Sequence, residues 1–358
     1  MAADLEYNVL CVSTDKRPGG IHHMMMVYEK SLAELGCQVT SMGYKWVQAM
    51  QAPPPNNVRR VFLGMFWRLA FLFNPFFRHY IKRLIDEADI VLCHNVSPIK
   101  KMIRTSRKTP IVLIDHSHKV RPDLNVDFII ALTDAARAQI IKTHPRFATS
   151  PNRVLLVPNG ILNALPQKTK RDFRPPLRLG SLGRFVEKKG FDILIDLLAC
   201  KGQESTLLTI YGEGEARAAL EKRAVQKGVA ERVSLPGWTE NKAQFFDEID
   251  ILCVPSREEP FGLVLLESMA AGVPIITTPT AGSEMIIRDG ENGLLVPCDN
   301  APAFGEAIEK LRDKPLREKI ITQARADFEA HYTFAAFSSR LRASLESIFA
   351  CEPLKFGK

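Results

Sequence analysis

No two of the seven cysteines (Cys11, Cys37, Cys93, Cys200, Cys253, Cys298 and Cys351) stand at a CxxC or other metal-ligand spacing. That scatter excludes a disulfide framework and a zinc module, and leaves free thiols in a reducing cytoplasm. The apolar stretch within residues 58–83 is too short and too interrupted by Arg68, Asn74 and Pro75 to be a convincing transmembrane helix. The opening "MAADLEYNVLCVST" is acidic and runs straight into a strand-like segment, so no signal peptide is expected. No fixed-period repeat and no low-complexity tract occurs. What remains is a chain of 358 residues, 46% apolar and 25% charged, the composition of a soluble globular protein. At that length two domains are expected.

The formal net charge of +8 is unevenly placed. Residues 1–165 hold 21 Lys/Arg against 12 Asp/Glu, whereas residues 166–358 hold 27 against 28. The basic excess therefore belongs to the first half, which suggests an anionic partner there. Nucleic acid and an anionic membrane surface are the two candidates.

Short apolar runs alternate with helical segments through that half: "YNVLCVST", "QVTSMGY", "ADIVLCHN", "PIVLIDHSH", "DFIIALTD" and "RVLLVPNG". This is the pattern of a doubly wound parallel sheet. Residues 166–178, "PQKTKRDFRPPLR", are basic, unpatterned and proline-bearing, as in a linker. The alternation then restarts with "LRLGSLGR" and continues to "GLLVP". The α/β reading is therefore two Rossmann-like domains, residues 1–165 and 166–333, facing an interdomain cleft. The amphipathic stretch at about 334–351 forms a last helix that can pack back on the first domain. In open α/β sheets ligands bind beyond the carboxyl ends of the strands, so the strand ends are where chemistry is sought.

One stretch raises a question. In "SREEPFGLVLLESMAAGVPI", residues 256–275, Glu259 and Glu267 flank a turn and an apolar run. Pro260 and Gly262 suit the turn, and Gly272 with Pro274 ends the helix that follows. Glu259 falls in the loop, and Glu267 is expected to point outward from the helix. On spacing alone, a solvated loop carboxylate followed by an ordinary surface-helix carboxylate is the favoured reading.

Strand-end motifs elsewhere change that balance. "PGG" (18–20), "VPNG" (157–160), "GRFVEKKG" (183–190), "EEPFGLVLLE" (258–267) and "AGSEMI" (281–286) fall in a specific order. Together they resemble retaining GT-B glycosyltransferases, particularly the large family-4 group, and the likeness spans roughly residues 8–300. It is strongest from 155 to 298 and weaker in the first half, where the variable acceptor would bind.

The resemblance implies a role for each motif. Arg184 and Lys189 would hold the diphosphate of a nucleotide-sugar donor, stabilising the charge that grows as the glycosidic bond breaks. Gly19 and Gly20 would bring backbone N–H groups at a helix N-terminus against the same phosphates. Glu259 would contact hydroxyls of the transferred sugar and Glu267 the ribose diol, because a carboxylate accepts two hydrogen bonds from a vicinal diol. Phe261 and Gly262 would present backbone N–H groups to the sugar. His116, at the end of "PIVLIDHSH", takes the active-site histidine position, with His118 and Asp115 as lesser candidates; His22 and His23 could face the acceptor. Lys188 reads as a bystander, and Glu258 has no assignable role.

Ser268 and Cys37 depart from the usual residues of the pattern without touching this chemistry. No Asp-x-Asp motif accompanies the donor motifs, so no metal is expected and the cations take its place. No cofactor is implied beyond the nucleotide-sugar co-substrate, for which UDP is the commonest base. The acceptor class is a glycan or glycolipid of the cell envelope, such as lipopolysaccharide core. A sugar-nucleotide epimerase of the same fold is the competing enzyme class, and the pairing of "GRFVEKKG" with "EEPFGLVLLE" argues against it. A non-enzymatic nucleotide- or nucleic-acid-binding module would leave the motifs unexplained, and no nucleic-acid motif is present.

Residues 58–83, "VRRVFLGMFWRLAFLFNPFFRHYIKR", carry seven of the 29 aromatics between Val61 and Phe77, where Arg68 is the sole charge. Bracketed by Arg59, Arg60, Arg78, Lys82 and Arg83, the segment suits an anionic membrane interface. A buried helix pair is the alternative. Lys100, Lys101, Arg104, Arg107 and Lys108 could share the same face. The expected location is the cytoplasm, at the inner face of the membrane.

Overall fold

A computed structural model describes residues 4–15, 19–44, 53–64, 67–96, 109–117, 120, 124–163, 165–166, 173–239 and 241–351. His118, Phe66, the cluster Lys100 to Lys108 and residues 167–172 of the expected linker lie outside these residues. The chain divides into two units, Met1–Gly160 with Phe334–Lys358, and Ile161–Thr333. The cut thus falls at Ile161, a few residues before the linker expected from composition.

Among the described residues the first unit has strands β1 (Asn8–Val12), β2 (Gln38–Tyr44), β3 (Val58–Leu63), β4 (Ile90–Cys93), β5 (Ile111–Asp115), β6 (Phe128–Ala131) and β7 (Val154–Leu156). They form one parallel sheet in the order β3-β2-β1-β4-β5-β6-β7. Every residue of β4, β5 and β6 is buried, which is why these strands read as unbroken apolar runs. The described helices are α1 (Gly20–Glu34), α2 (Trp67–Phe73), α3 (Pro75–Asp86), α4 (Asp134–Thr143) and α5 (Pro145–Ala148). Asn74 caps α3, its side-chain oxygen accepting from Phe77 N at 3.0 Å, and Pro75 occupies the first helical position. The turn between α2 and α3 is therefore written locally.

This arrangement splits the aromatic, basic segment. β3 is a strand of the sheet, and Trp67 and Phe71 join Leu63, Ile81 and Leu84 in the core. Trp67 Nε1 donates to Tyr44 Oη at 2.9 Å, so the indole has a polar partner as well as apolar neighbours. The reading of 58–83 as a single membrane-seeking stretch is thus corrected: Trp67 and Phe71 pack in the core instead of facing a membrane. Leu72, Phe73 and Phe76 remain exposed at the α2–α3 corner.

The second unit repeats the plan with β8 (Leu177–Leu182), α6 (Phe191–Leu198), β9 (Thr206–Tyr211), α7 (Arg217–Gln226), β10 (Val233–Gly237), α8 (Lys242–Glu248) and β11 (Ile251–Val254). It continues with α9 (Leu263–Ala271), β12 (Ile275–Thr277), α10 (Ala281–Ile286), β13 (Leu294–Leu295), α11 (Ala301–Arg312) and α12 (Lys314–His331). Its parallel sheet runs β10-β9-β8-β11-β12-β13. The last helix, α13 (Phe334–Ala350), belongs to the first unit. Its Phe337 meets the Tyr28 ring of α1 edge-on at 5.0 Å, and Phe349 stacks on Tyr7 at 3.8 Å. Arg340 donates to the carbonyl of Pro158 at 3.4 Å, tying α13 to the "VPNG" stretch.

Candidate functional site

In the second unit the loop after β8 and the loop after β11 are built as one piece. Lys188 and Lys189 end a 3-10 turn, Glu187–Lys189, and Gly190 follows with φ +65. A Cβ at Gly190 would lie 2.1 Å from the carbonyl oxygen of Pro255, so only glycine lets the two loops meet. The carbonyl of Lys188 accepts from Arg257 N at 2.8 Å and Glu258 N at 3.2 Å. Arg257 clasps the junction, donating to Asp192 at 2.8 Å, Asp299 at 2.7 Å and the carbonyl of Glu187 at 2.6 Å. Lys188 and Glu258 thus matter through their backbones, a use that side-chain reasoning does not see.

The consequence is a contact between two of the residues singled out by motif: Lys189 Nζ pairs with Glu259, and both side chains are largely shielded. Arg184 sits earlier in the same loop and is exposed, with no carboxylate partner among the described residues. Behind it Phe185 is fully buried, edge-on to Phe191, and its N–H donates to the carbonyl of Glu213 at 2.8 Å. Arg184 is thereby an exposed side chain on an anchored backbone.

Phe261 is buried, and Gly262 adopts φ +91 to start α9. Gly282 of α10 donates to the carbonyl of Glu259 at 3.0 Å, and a Cβ there would stand 2.3 Å from the carbonyl oxygen of Phe261. The "AGSEMI" motif therefore seats α10 against the Glu259 loop, and a Thr280–Ser283 capping box fixes its start. Glu267 does not point to solvent as expected. It is 4% exposed, and α9 is buried from Val264 to Ala271. A helix shielded all round shows no apolar stripe, so periodicity could not place its carboxylate. Glu267 pairs with Lys242 of α8, a residue no motif marks. Two carboxylate–ammonium pairs, Lys189–Glu259 and Lys242–Glu267, thus stand at the carboxyl ends of this unit's sheet.

In the first unit, Gly19 and Gly20 open α1 and are exposed, and the Gly19 carbonyl accepts from the N–H groups of His22 and His23, each at 3.1 Å. Gly19 is extended at φ 163, and a Cβ there would touch nothing within 4 Å among the described residues. Neither backbone strain nor packing calls for glycine, which leaves room for an approaching group. His22 is buried, with Nε2 3.2 Å from the carbonyl of Asp15.

His116 follows β5, and beside it His94 follows β4, joined Nδ1 of His94 to Nε2 of His116 at 3.1 Å. The rings are near-parallel, with centroids 5.4 Å apart. Burial, with His116 and His22 nearby, drives the His94 pKa well below the usual imidazole range. His116 keeps some exposure at its edge, yet burial of the ring lowers its pKa to about 4. Both rings are neutral at pH 7. Asp115 is buried, its Oδ1 accepting from Ser117 N at 3.1 Å. Sequence reasoning missed His94, although it ends a strand adjacent to the one His116 ends. Among the described residues, no group of three or more His, Cys, Asp or Glu is placed to hold a metal ion.

Two Rossmann-like units, each built on a parallel sheet, define the GT-B class. Two family models match along the chain: "Glycosyltransferase Family 4" over residues 18–162 and "Glycosyl transferases group 1" over residues 167–327. The chain belongs to the family-4 GT-B glycosyltransferases. It is 40% identical over 141 residues to the lipopolysaccharide core biosynthesis glycosyltransferase LpsE of Rhizobium meliloti, covering 39% of this chain and 41% of that protein. LpsD of the same organism, also named for lipopolysaccharide core biosynthesis, is 36% identical over 140 residues, or 39% of this chain and 40% of LpsD. The chain thus spans about two-fifths of the length of these relatives. The Anabaena protein HepE, solved with UDP and glucose, matches in fold with a TM-score of 0.79 at 17% identity, over 96% of this chain and 100% of that one.

Proposed function

We propose that this protein is a retaining, metal-independent glycosyltransferase that moves a sugar from a UDP-sugar to a lipid-anchored cell-envelope glycan of the lipopolysaccharide-core kind. The observation that carries this reading is the joined pair of loops holding Arg184, Lys189 and Glu259, with Glu267 close by in sequence on a buried helix. Two cations on a fixed backbone suit a departing diphosphate, because donors already in place need not reorganise as charge develops. Glu267 suits the ribose diol and Glu259 the hydroxyls of the transferred sugar. Phe261 and Gly262 lie in the turn that offers backbone N–H groups, Gly19 and Gly20 offer more from the first unit, and His116 serves the sugar and acceptor. LpsE and LpsD support the acceptor class, and the UDP held by HepE supports the base.

The test is product stereochemistry by NMR, with a UDP-sugar and a core-type acceptor in the presence of chelator. The expected product retains the anomeric configuration of the donor sugar. An inverted product, or activity abolished by chelator, would overturn the reading.

Such an acceptor requires access to a membrane, and no helix among the described residues is long and apolar enough to cross one. We place the contact at the α2–α3 corner, where Phe73 is 79% and Phe76 84% exposed. Leu72 is beside them, and Arg78 and Lys82 are exposed on the following helix. Each basic residue near an anionic surface contributes about 1 kcal/mol, falling with salt, and the aromatics must supply persistence. Phe73→Ser with Phe76→Ser should leave the melting temperature unchanged and abolish co-sedimentation with phosphatidylglycerol vesicles. Trp67→Ser should instead destabilise the first unit by roughly 3–5 kcal/mol, as loss of a large core side chain does. A folded Phe73/Phe76 variant that still sediments normally would remove this corner as the contact.

A further inference from the structure

We propose that His94 is a positioning residue: its Nδ1–H donates to Nε2 of His116 and so leaves the proton of His116 on Nδ1. The inference rests on the role of His116 proposed above, and it adds the form in which that ring meets its substrate.

Two neutral imidazoles whose nitrogens stand 3.1 Å apart must divide the roles, one donating and the other accepting. The surroundings of His94 decide which. Its backbone N–H donates to the carbonyl of Val12 at 2.9 Å, which pins the residue between β1 and β5. Its Nε2 is buried and has no hydrogen-bond partner among the described residues. The His94 ring meets the Tyr28 ring in a T-shaped contact with centroids 5.0 Å apart, and Tyr28 in turn meets Phe337 of α13. If His116 donated, the His94 proton would lie on this buried Nε2, an N–H with no acceptor. Buried N–H groups are almost never left in that state. With the proton on Nδ1, only a lone pair of His94 is left buried at Nε2. His94 is then a donor, and His116 accepts through Nε2.

The consequence concerns the reaction. With Nε2 occupied as an acceptor, His116 carries its single proton on Nδ1 and presents an N–H to the sugar or acceptor oxygen. It orients an oxygen by donating to it, and Nε2 is not available as a base. Tertiary packing, through Tyr28 and α13, holds this choice.

Long-range 1H–15N correlation spectra at pH 7 read the tautomer directly, with His116→Gln and His94→Asn used for assignment. The expected spectrum shows a pyridine-type Nε2 and a pyrrole-type Nδ1 for His116. His94→Asn, whose amide nitrogen can stand where Nδ1 stood, should keep that signature and most of the turnover. His94→Phe fills the same volume without a donor; it should release His116 to a mixture of tautomers and lower kcat roughly 10-fold, the worth of one hydrogen bond, with donor KM little changed. A pyrrole-type Nε2 on His116, or a His116 spectrum unchanged in a folded His94→Phe, would overturn the inference. Should the tautomer be as stated while His116→Gln keeps full turnover, the placement by His94 stands and the role proposed for His116 fails.

Discussion

Lys189→Ala and Arg184→Ala are each expected to lower turnover at saturating donor by roughly 10²-fold or more, as removal of one preorganised electrostatic stabiliser does. The two variants should differ in what else they change. Arg184 is exposed, so its truncation should leave the melting temperature where it was. Lys189 is paired with Glu259, whose side chain is only 12% exposed, so Lys189→Ala leaves a shielded carboxylate without its cation. A modest fall in stability of the second unit should accompany that loss of activity. The measurement is steady-state kinetics beside thermal unfolding. Near-normal kcat in both variants would show that the diphosphate binds elsewhere.

Glu267→Gln should weaken binding of free UDP by about 10-fold or more, because hydrogen bonds to a charged acceptor are worth about 1.5–3 kcal/mol. Glu259→Gln should leave UDP affinity nearly unchanged and act on transfer instead, since the partner proposed for Glu259 is the transferred sugar. Calorimetry with UDP and kinetics with the full donor separate the two. The ion pair between Glu267 and Lys242 introduces a rival explanation, that Glu267→Gln acts only by breaking that pair. Lys242→Met breaks the pair while keeping the carboxylate, so UDP affinity should survive it better than it survives Glu267→Gln. Equal losses in both variants would assign Glu267 a structural task, and a swapped pattern between Glu259 and Glu267 would reverse their roles.

Much of the fold was legible because it is written locally. Strands buried on both faces appear as apolar runs, and breaks such as Asn74–Pro75 or Gly272 with Pro274 appear as their own residues. Alternation of such runs with helices is enough to imply a doubly wound sheet, twice. The strand-end loops were legible for a related reason: Gly190 and Gly282 are required by close backbone approach and Gly262 by its positive φ, so their spacing survives as a motif.

Burial and partnership were not legible, because each is settled by residues far apart in the chain. Lys189 meets Glu259 across 70 positions and Lys242 meets Glu267 across 25. His94 finds His116 because β4 and β5 are neighbours in the sheet. Trp67 and Phe73 carry similar aromatic character six positions apart, yet one closes the core and the other faces solvent. The segment's composition is the same for both, and only the seating of α2 against the sheet separates them. The residues and their order thus determined that this chain forms two Rossmann-like units with charged strand-end loops. Tertiary packing alone decided which carboxylate is shielded, which cation neutralises it and which histidine ring meets His116, since these depend on dielectric and distance rather than on sequence neighbours.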